Sequence, residues 1–129
     1  MDYKELYDTA LKASENAYAP YSGFHVGAAV LTSDLKIYTG ANIENASYPV
    51  SLCAERAALS KALNEGHRSF KAVAVAAVKD GNEQSASPCG ICRQFIFEFG
   101  DDIDIIFGQN RDSLKVFRIK ELLPEGFRL

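Results

Sequence analysis

After its opening lysine, the stretch from Lys71 to Val78 is an unbroken run of small apolar residues, and nothing else in the chain limits the fold as strongly. A run this short, followed by a polar stretch from Lys79 to Ser87 that reads as a loop, is a buried strand rather than a helix. A strand without a polar side needs cover from other elements. The flanking sequence supplies them. Leu6, Tyr7, Ala10, Leu11, Ala13 and Ala17 recur at helical spacing between Tyr3 and Ala17, and Pro20 with Tyr21-Ser22-Gly23 stops that helix. Val26 to Leu31 and Lys36 to Gly40 read as two strands around a polar turn at Thr32 to Asp34, most simply a hairpin. Cys53 to Leu63 is an Ala- and Leu-rich helix with a stop at Gly66, and Cys89 to Phe99 is a second, introduced by Pro88 and ended by Gly100. Ile103 to Phe107 and Lys115 to Ile119 complete the strands before a short Lys120 to Leu123 turn. Strands alternating with helices predict a layered α/β domain, with helices covering a five-stranded mixed sheet.

Length and charge narrow the partners. With 129 residues, 47% of them hydrophobic, the chain can bury one sizeable core, and the expectation is one domain over residues 1–129. The net charge of −3 and the scattered basic residues offer no footprint for a phosphate backbone, which argues against long nucleic acids. No stretch approaches the roughly 20 apolar residues of a membrane span, and Met1-Asp2-Tyr3-Lys4-Glu5 has no signal-like apolar run. A soluble, cytoplasmic protein is expected.

The three cysteines point to chemistry. Two of them form Cys89-x-x-Cys92, which in a chain without a secretion signal suggests metal or redox use rather than a disulfide framework. Cys53 opens one predicted helix and the pair opens another, so three thiols can meet where two helix N-termini meet, and such termini lower thiol pKa values. Three thiolates suit zinc and leave a fourth tetrahedral position open for water, as in a catalytic site. Glu55, two residues after Cys53, is well placed to hydrogen-bond that water and shuttle protons. Taken singly these signals are weak: Cys53 is also compatible with a buried small apolar residue, and Cys89 with Cys92 is compatible with a redox dithiol or a structural zinc staple.

Read together, Cys53-Ala54-Glu55 and Pro88-Cys89-Gly90-Ile91-Cys92 match a zinc deaminase signature in its three-cysteine form. The chain resembles the short, all-cysteine cytidine deaminases. The likeness runs through Tyr18-Ala19-Pro20-Tyr21-Ser22, Phe24-His25-Val26-Gly27-Ala28-Ala29, Asn42-Ile43-Glu44-Asn45-Ala46 and Cys53 to Arg56. It continues through Pro88 to Gln94, Leu122-Leu123-Pro124 and Phe127. It implies a three-layer α/β/α sandwich and one zinc ion per chain on Cys53, Cys89 and Cys92. It further implies hydrolytic deamination of free cytidine and deoxycytidine, in which activated water adds to C4 while Glu55 passes protons to N3 and the departing amine. Asn42 and Glu44 would bind the ribose hydroxyls, Phe24 would stack on the base, and Ala54 would join the substrate site. Tyr48 and Phe127 would approach the active site of a neighbouring subunit in a homotetramer. Arg56 is implied near the sulfurs, and Arg93, which follows Cys92, is a second candidate to offset their charge.

The residue types agree with these roles. A neutral sugar needs an amide and a carboxylate, a planar base needs an aromatic face, and no basic residue beside Asn42 and Glu44 could pair with a phosphate. Without the family, Phe24, Tyr48 and Phe127 read more readily as core or surface packing than as ligand contacts, and Asn42 with Glu44 reads equally well as an ordinary polar turn. A deaminase for another base, such as a nucleoside antibiotic, is the nearest enzymatic rival. His25 and His67 read as structural. Leu35 stands where many relatives have a turn glycine.

Overall fold

A computed structural model describes residues 1–129. In chain order the elements are α1 (Tyr3–Ala13), β1 (His25–Thr32), β2 (Ile37–Ala41), α2 (Ala54–Asn64), β3 (Phe70–Lys79) and β4 (Asn82–Gln84). Then follow α3 (Gly90–Phe97), β5 (Asp104–Gly108), β6 (Leu114–Arg118) and α4 (Ile119–Leu122), with 3₁₀ turns at Ser14–Asn16 and Tyr48–Val50. The apolar run is β3, and it lies mid-sheet in the order β2-β1-β3-β5-β6. Only the β3–β5 pair is parallel, because those two strands are joined through α3, and the remaining pairs are antiparallel.

Alternation along β3 builds the three layers. Ala72, Ala74 and Ala76 face Leu6, Tyr7 and Ala10 of α1 on one side of the sheet. Val73 and Val75 face Ala54, Ala58, Leu59 and Ala62 of α2, with Ile96 of α3, on the other. All of these are buried, and each fully buried Val, Leu or Ile contributes on the order of 1.5–3 kcal/mol of apolar burial. Small residues on the α1 side let that helix lie low. Gly27 of β1 extends the same economy, since a Cβ there would come within 1.9 Å of the Ala10 carbonyl oxygen.

Two details differ from the sequence expectation. The first helix ends at Ala13 rather than Ala17, because the Ser14 hydroxyl donates to the Leu11 carbonyl at 2.5 Å and the chain tightens into the 3₁₀ turn. The expected Lys79 to Ser87 loop contains a sixth short strand, β4, paired to β3 through a turn in which Asp80 and Gly81 both have positive φ. That geometry suits a tight hairpin and overrides the polar composition. Glu83 of β4 is held from two sides, its carboxylate accepting from the Tyr7 hydroxyl at 2.8 Å and its carbonyl from Gln109 Nε2 at 2.7 Å. In the β1–β2 hairpin, Leu35 takes φ +69°, the left-handed conformation for which glycine is the usual choice. Thr32 stabilises that turn through Lys36 N and Asp34, and His67 ties it to α2's end by contacts to Tyr38 and Asp34.

Gly40 fixes the height of α2 above β2. A Cβ at this position would stand 2.5 Å from Ala58 N and 2.9 Å from the Ala54 carbonyl oxygen, both backbone atoms that cannot swing aside. Gly40→Ala is therefore expected to destabilise the protein by about 1–3 kcal/mol, the usual scale of overpacking, as measured by urea unfolding. An unchanged midpoint would show that α2 can lift without loss.

Candidate metal centre and substrate cleft

Two helices on the same face of the sheet deliver the thiols. Cys53 is the N-cap residue of α2 and Cys89 the N-cap residue of α3, both with extended backbone, while Cys92 lies one turn into α3. Neither N-cap cysteine spends its side chain on capping, so both sulfurs are free to face each other. The three Sγ atoms lie within 4.8 Å of one another, with Cys92 buried, Cys53 half-buried and Cys89 exposed. This is a set of soft donors with one open side, which suits zinc.

The surroundings are arranged for an anionic cluster. Arg56, one turn along α2, donates from Nη2 to the Ser51 carbonyl at 3.5 Å, and the nearby Cys53 and Cys92 thiols raise its pKa. Its Nε is buried without a hydrogen-bond partner. A buried cationic donor left over beside three thiols fits a site that carries net negative charge when metal is bound. Arg93 is committed elsewhere: its Nε donates to the Pro88 carbonyl and its Nη1 to the Leu122 carbonyl, both at 2.8 Å. It fastens the turn before Cys89 to α4 and makes no hydrogen bond to sulfur.

The thiols do not titrate alike. Cys53 is pulled down to about 5, chiefly by the thiol hydrogen bond from Cys92 and then by Arg56. Cys92 is pushed up, because it supplies that hydrogen bond and is buried beside Glu55. A helix N-terminus alone would lower both; direct contact between the thiols separates them.

Glu55 is 5% exposed and burial raises its carboxyl to about 6, with the Cys53 charge adding to the rise. It lies beside the thiols in the lining of a cleft of about 280 Å³. Phe24, Val26, Asn42, Glu44, Ala54 and Cys89 line the same cleft. Asn42 follows β2, and its amide is already half used, Oδ1 accepting from Val26 N at 2.8 Å and Nδ2 donating to the Phe24 carbonyl at 2.9 Å. One Nδ2 proton remains. Glu44 Oε1 accepts from the Tyr21 and Ser22 backbone N–H groups at 2.9 and 3.1 Å, and Oε2 accepts from the Ser22 hydroxyl. Ser22 ends the Tyr18-Ala19-Pro20-Tyr21-Ser22 motif, and its residue type alone does not single it out for a role in the site. Tyr48 and Phe127 do not line this cleft. Tyr48 is exposed and packs edge-on against Tyr21, while Phe127 is exposed on a tail held to α3 by Gln94 and Arg128.

Fold and centre together define an α/β/α protein with a thiol metal site on the floor of a cleft. Residues 1–109 match the model of the cytidine and deoxycytidylate deaminase zinc-binding region, and the chain belongs to that family. It is 45% identical to a cytidine deaminase of Sporosarcina psychrophila, covering 98% of this chain and 92% of that one. A probable cytidine deaminase of Dictyostelium discoideum is 44% identical over 98% of this chain and 84% of its own length. The crystal structure of cytidine deaminase from Burkholderia pseudomallei superposes with a TM-score of 0.90 at 41% identity, covering 98% of this chain and all of that one.

Burial of Glu55 has a consequence for stability. Because its folded pKa of about 6 lies above the ordinary value of 4.5, the protonated fold is favoured below pH 4.5, and that advantage is lost as pH rises through 6. In zinc-depleted protein, Glu55→Gln should then be more stable than the parent by about 2 kcal/mol at pH 7, with the two converging near pH 4. Unfolding curves across this range test it, and a gap that persists at pH 4 would contradict it.

Proposed function

We propose that this chain is a zinc-dependent cytidine deaminase, hydrolysing free cytidine and deoxycytidine to uridine and deoxyuridine with release of ammonia, as in pyrimidine salvage. The observation that carries the reading is the buried Glu55 carboxyl beside three thiols, in a cleft that also presents Asn42, Glu44 and Phe24. The names of the relatives point the same way, and the whole 1–129 chain acts as one domain in this reading.

Cys53, Cys89 and Cys92 hold the zinc, which when bound supplies a Lewis acid able to ionise water near neutral pH. The chain's own residues do the rest. Phe24 offers an aromatic face to the pyrimidine, with Ala54 beside it in the cleft lining. Asn42 donates its remaining N–H to one sugar hydroxyl and the ionised Glu44 accepts from another. Glu55 takes a proton from the attacking water and delivers it to N3 of the ring. It then moves a proton to the amino group at C4, so that the group departs as ammonia. A carboxyl raised by burial is suited to both halves of that exchange. Arg56 withdraws charge from the sulfurs, and Arg93 steadies the turn that carries Cys89.

The reading extends to a cytoplasmic homotetramer with active sites shared between subunits. Three free thiols as metal ligands favour a reducing compartment. Exposed Tyr48, Val50, Ile91 and Phe127 are apolar surface that a neighbouring subunit would cover. No helix is long and apolar enough to cross a membrane.

An ultraviolet assay of cytidine loss tests the activity: turnover is expected to disappear with a zinc chelator and return with zinc. Glu55→Gln should keep zinc yet lose at least about 10²-fold in kcat, the scale of a general acid–base group. Near-normal turnover in that zinc-loaded variant would remove Glu55 from proton transfer. For the assembly, truncation before Phe127 should lower activity and shift the mass seen by light scattering, whereas full activity in a monomeric parent would overturn the shared site.

A further inference from the structure

The backbone of the segment from Asn42 to Glu44 is held on two sides. Tyr18 N donates to the Asn42 carbonyl at 2.9 Å and Glu44 N to the Tyr18 carbonyl at 2.8 Å, while Ile43 and Leu52 exchange both of their backbone hydrogen bonds at 2.9 Å. The Glu44 side chain is not fixed by that backbone. It is a flexible stem, and its carboxylate would sweep a wide arc if left to water. Its orientation comes instead from the Tyr21-Ser22 segment, where Tyr21 N and Ser22 N bind Oε1 and the Ser22 hydroxyl binds Oε2. The same hydroxyl oxygen accepts the backbone N–H of Phe24 at 3.0 Å. Ser22 thus stands between the carboxylate at one end of the cleft and the backbone of the aromatic residue that lines it.

We propose that Ser22 is a positioning residue for deamination, setting the sugar-binding carboxylate of Glu44 in register with the base-facing Phe24 through one shared hydroxyl. The inference rests on the reading of Glu44 as acceptor of a sugar hydroxyl. The donors to Glu44, Ser22 foremost, also hold its carboxyl below the usual carboxylate range, so it stays an acceptor. Loss of the Ser22 hydroxyl would leave Oε2 without its protein donor and the Phe24 N–H without its acceptor, while both backbone donors to Oε1 remain. The backbone bonds that hold Asn42 to Glu44 do not involve Ser22 and remain; the aim of the carboxylate changes.

The test compares zinc-loaded parent, Ser22→Ala, Ser22→Thr and Glu44→Gln on cytidine and on 2′,3′-dideoxycytidine, which has no hydroxyl on that edge of the sugar. Ser22→Ala should raise KM for cytidine roughly tenfold, the scale of one charge-assisted hydrogen bond. Its kcat should stay within about threefold, and KM for the dideoxynucleoside within about twofold, so the preference for cytidine falls. Ser22→Thr, which keeps the hydroxyl, should restore it. Equal losses on both substrates, or no loss on cytidine, would overturn the proposal. Glu44→Gln separates the two layers of inference. If it abolishes the preference while Ser22→Ala leaves it intact, Ser22 alone is misassigned; if it keeps the preference, the sugar role of Glu44 fails and the proposal falls with it. Should Ser22→Ala not accumulate as folded enzyme, Ser22→Cys, a weaker donor of similar size, carries the same comparison.

Discussion

α2 and α3 lie on one face of the sheet, and their N-termini must come together closely enough for a sulfur on each to share an ion. The separation is set by backbone contact at Gly40, where β2 presses against Ala54, Ala57 and Ala58, and by the valines of β3 beneath both helices. Because a helix is rigid over its length, its first residue goes where its packed face sends it. Cys53 and Cys89 are placed by residues that never touch metal. The cleft depends on the same layer, since its lining is drawn from the start of α2, the end of β2, the entry to β1 and the turn before α3.

Charge at the centre follows from that geometry. Buried carboxyl, buried thiol and half-buried thiol repel one another when all are ionised, and the site relieves this by keeping the proton on Cys92, and below about pH 6 on Glu55 as well, while Cys53 is the thiolate paired with Arg56. A divalent cation does the same work with two positive charges and releases the cysteine proton. Arg56 completes the balance with a buried Nε that no protein acceptor satisfies.

The elements that carry the centre were legible in the sequence. Strand β3, both thiol-bearing helices and the hairpin of β1 and β2 follow from apolar period, proline and glycine, to within a few residues. β4 was missed for a physical reason: its polar residues look like a loop, and the informative signal, Asp80-Gly81, is a turn dipeptide whose effect is to reverse the chain. The double use of Asn42 and Ser22 was also hidden. The bonds of Asn42 to Val26 and Phe24, and of Ser22 to Glu44, span 16 to 22 residues and form only once the ends of β1 and β2 lie side by side, so local spacing carries no record of them. Arg93 shows the limit from the other side, since adjacency to Cys92 says nothing about which way a guanidinium turns on a helix.

The N-terminal helix is bound to parts of the chain that lie far along it. Tyr3 donates to the Asp104 carboxylate, 101 residues later, and Arg111 reaches back 103 residues to Asp8. During synthesis at about 5–20 residues per second, α1 leaves the ribosome roughly 5–20 s before those partners exist. For that interval Leu6, Tyr7 and Ala10 have no finished sheet to cover, so α1 is made well before the strands and side chains that lock it in place.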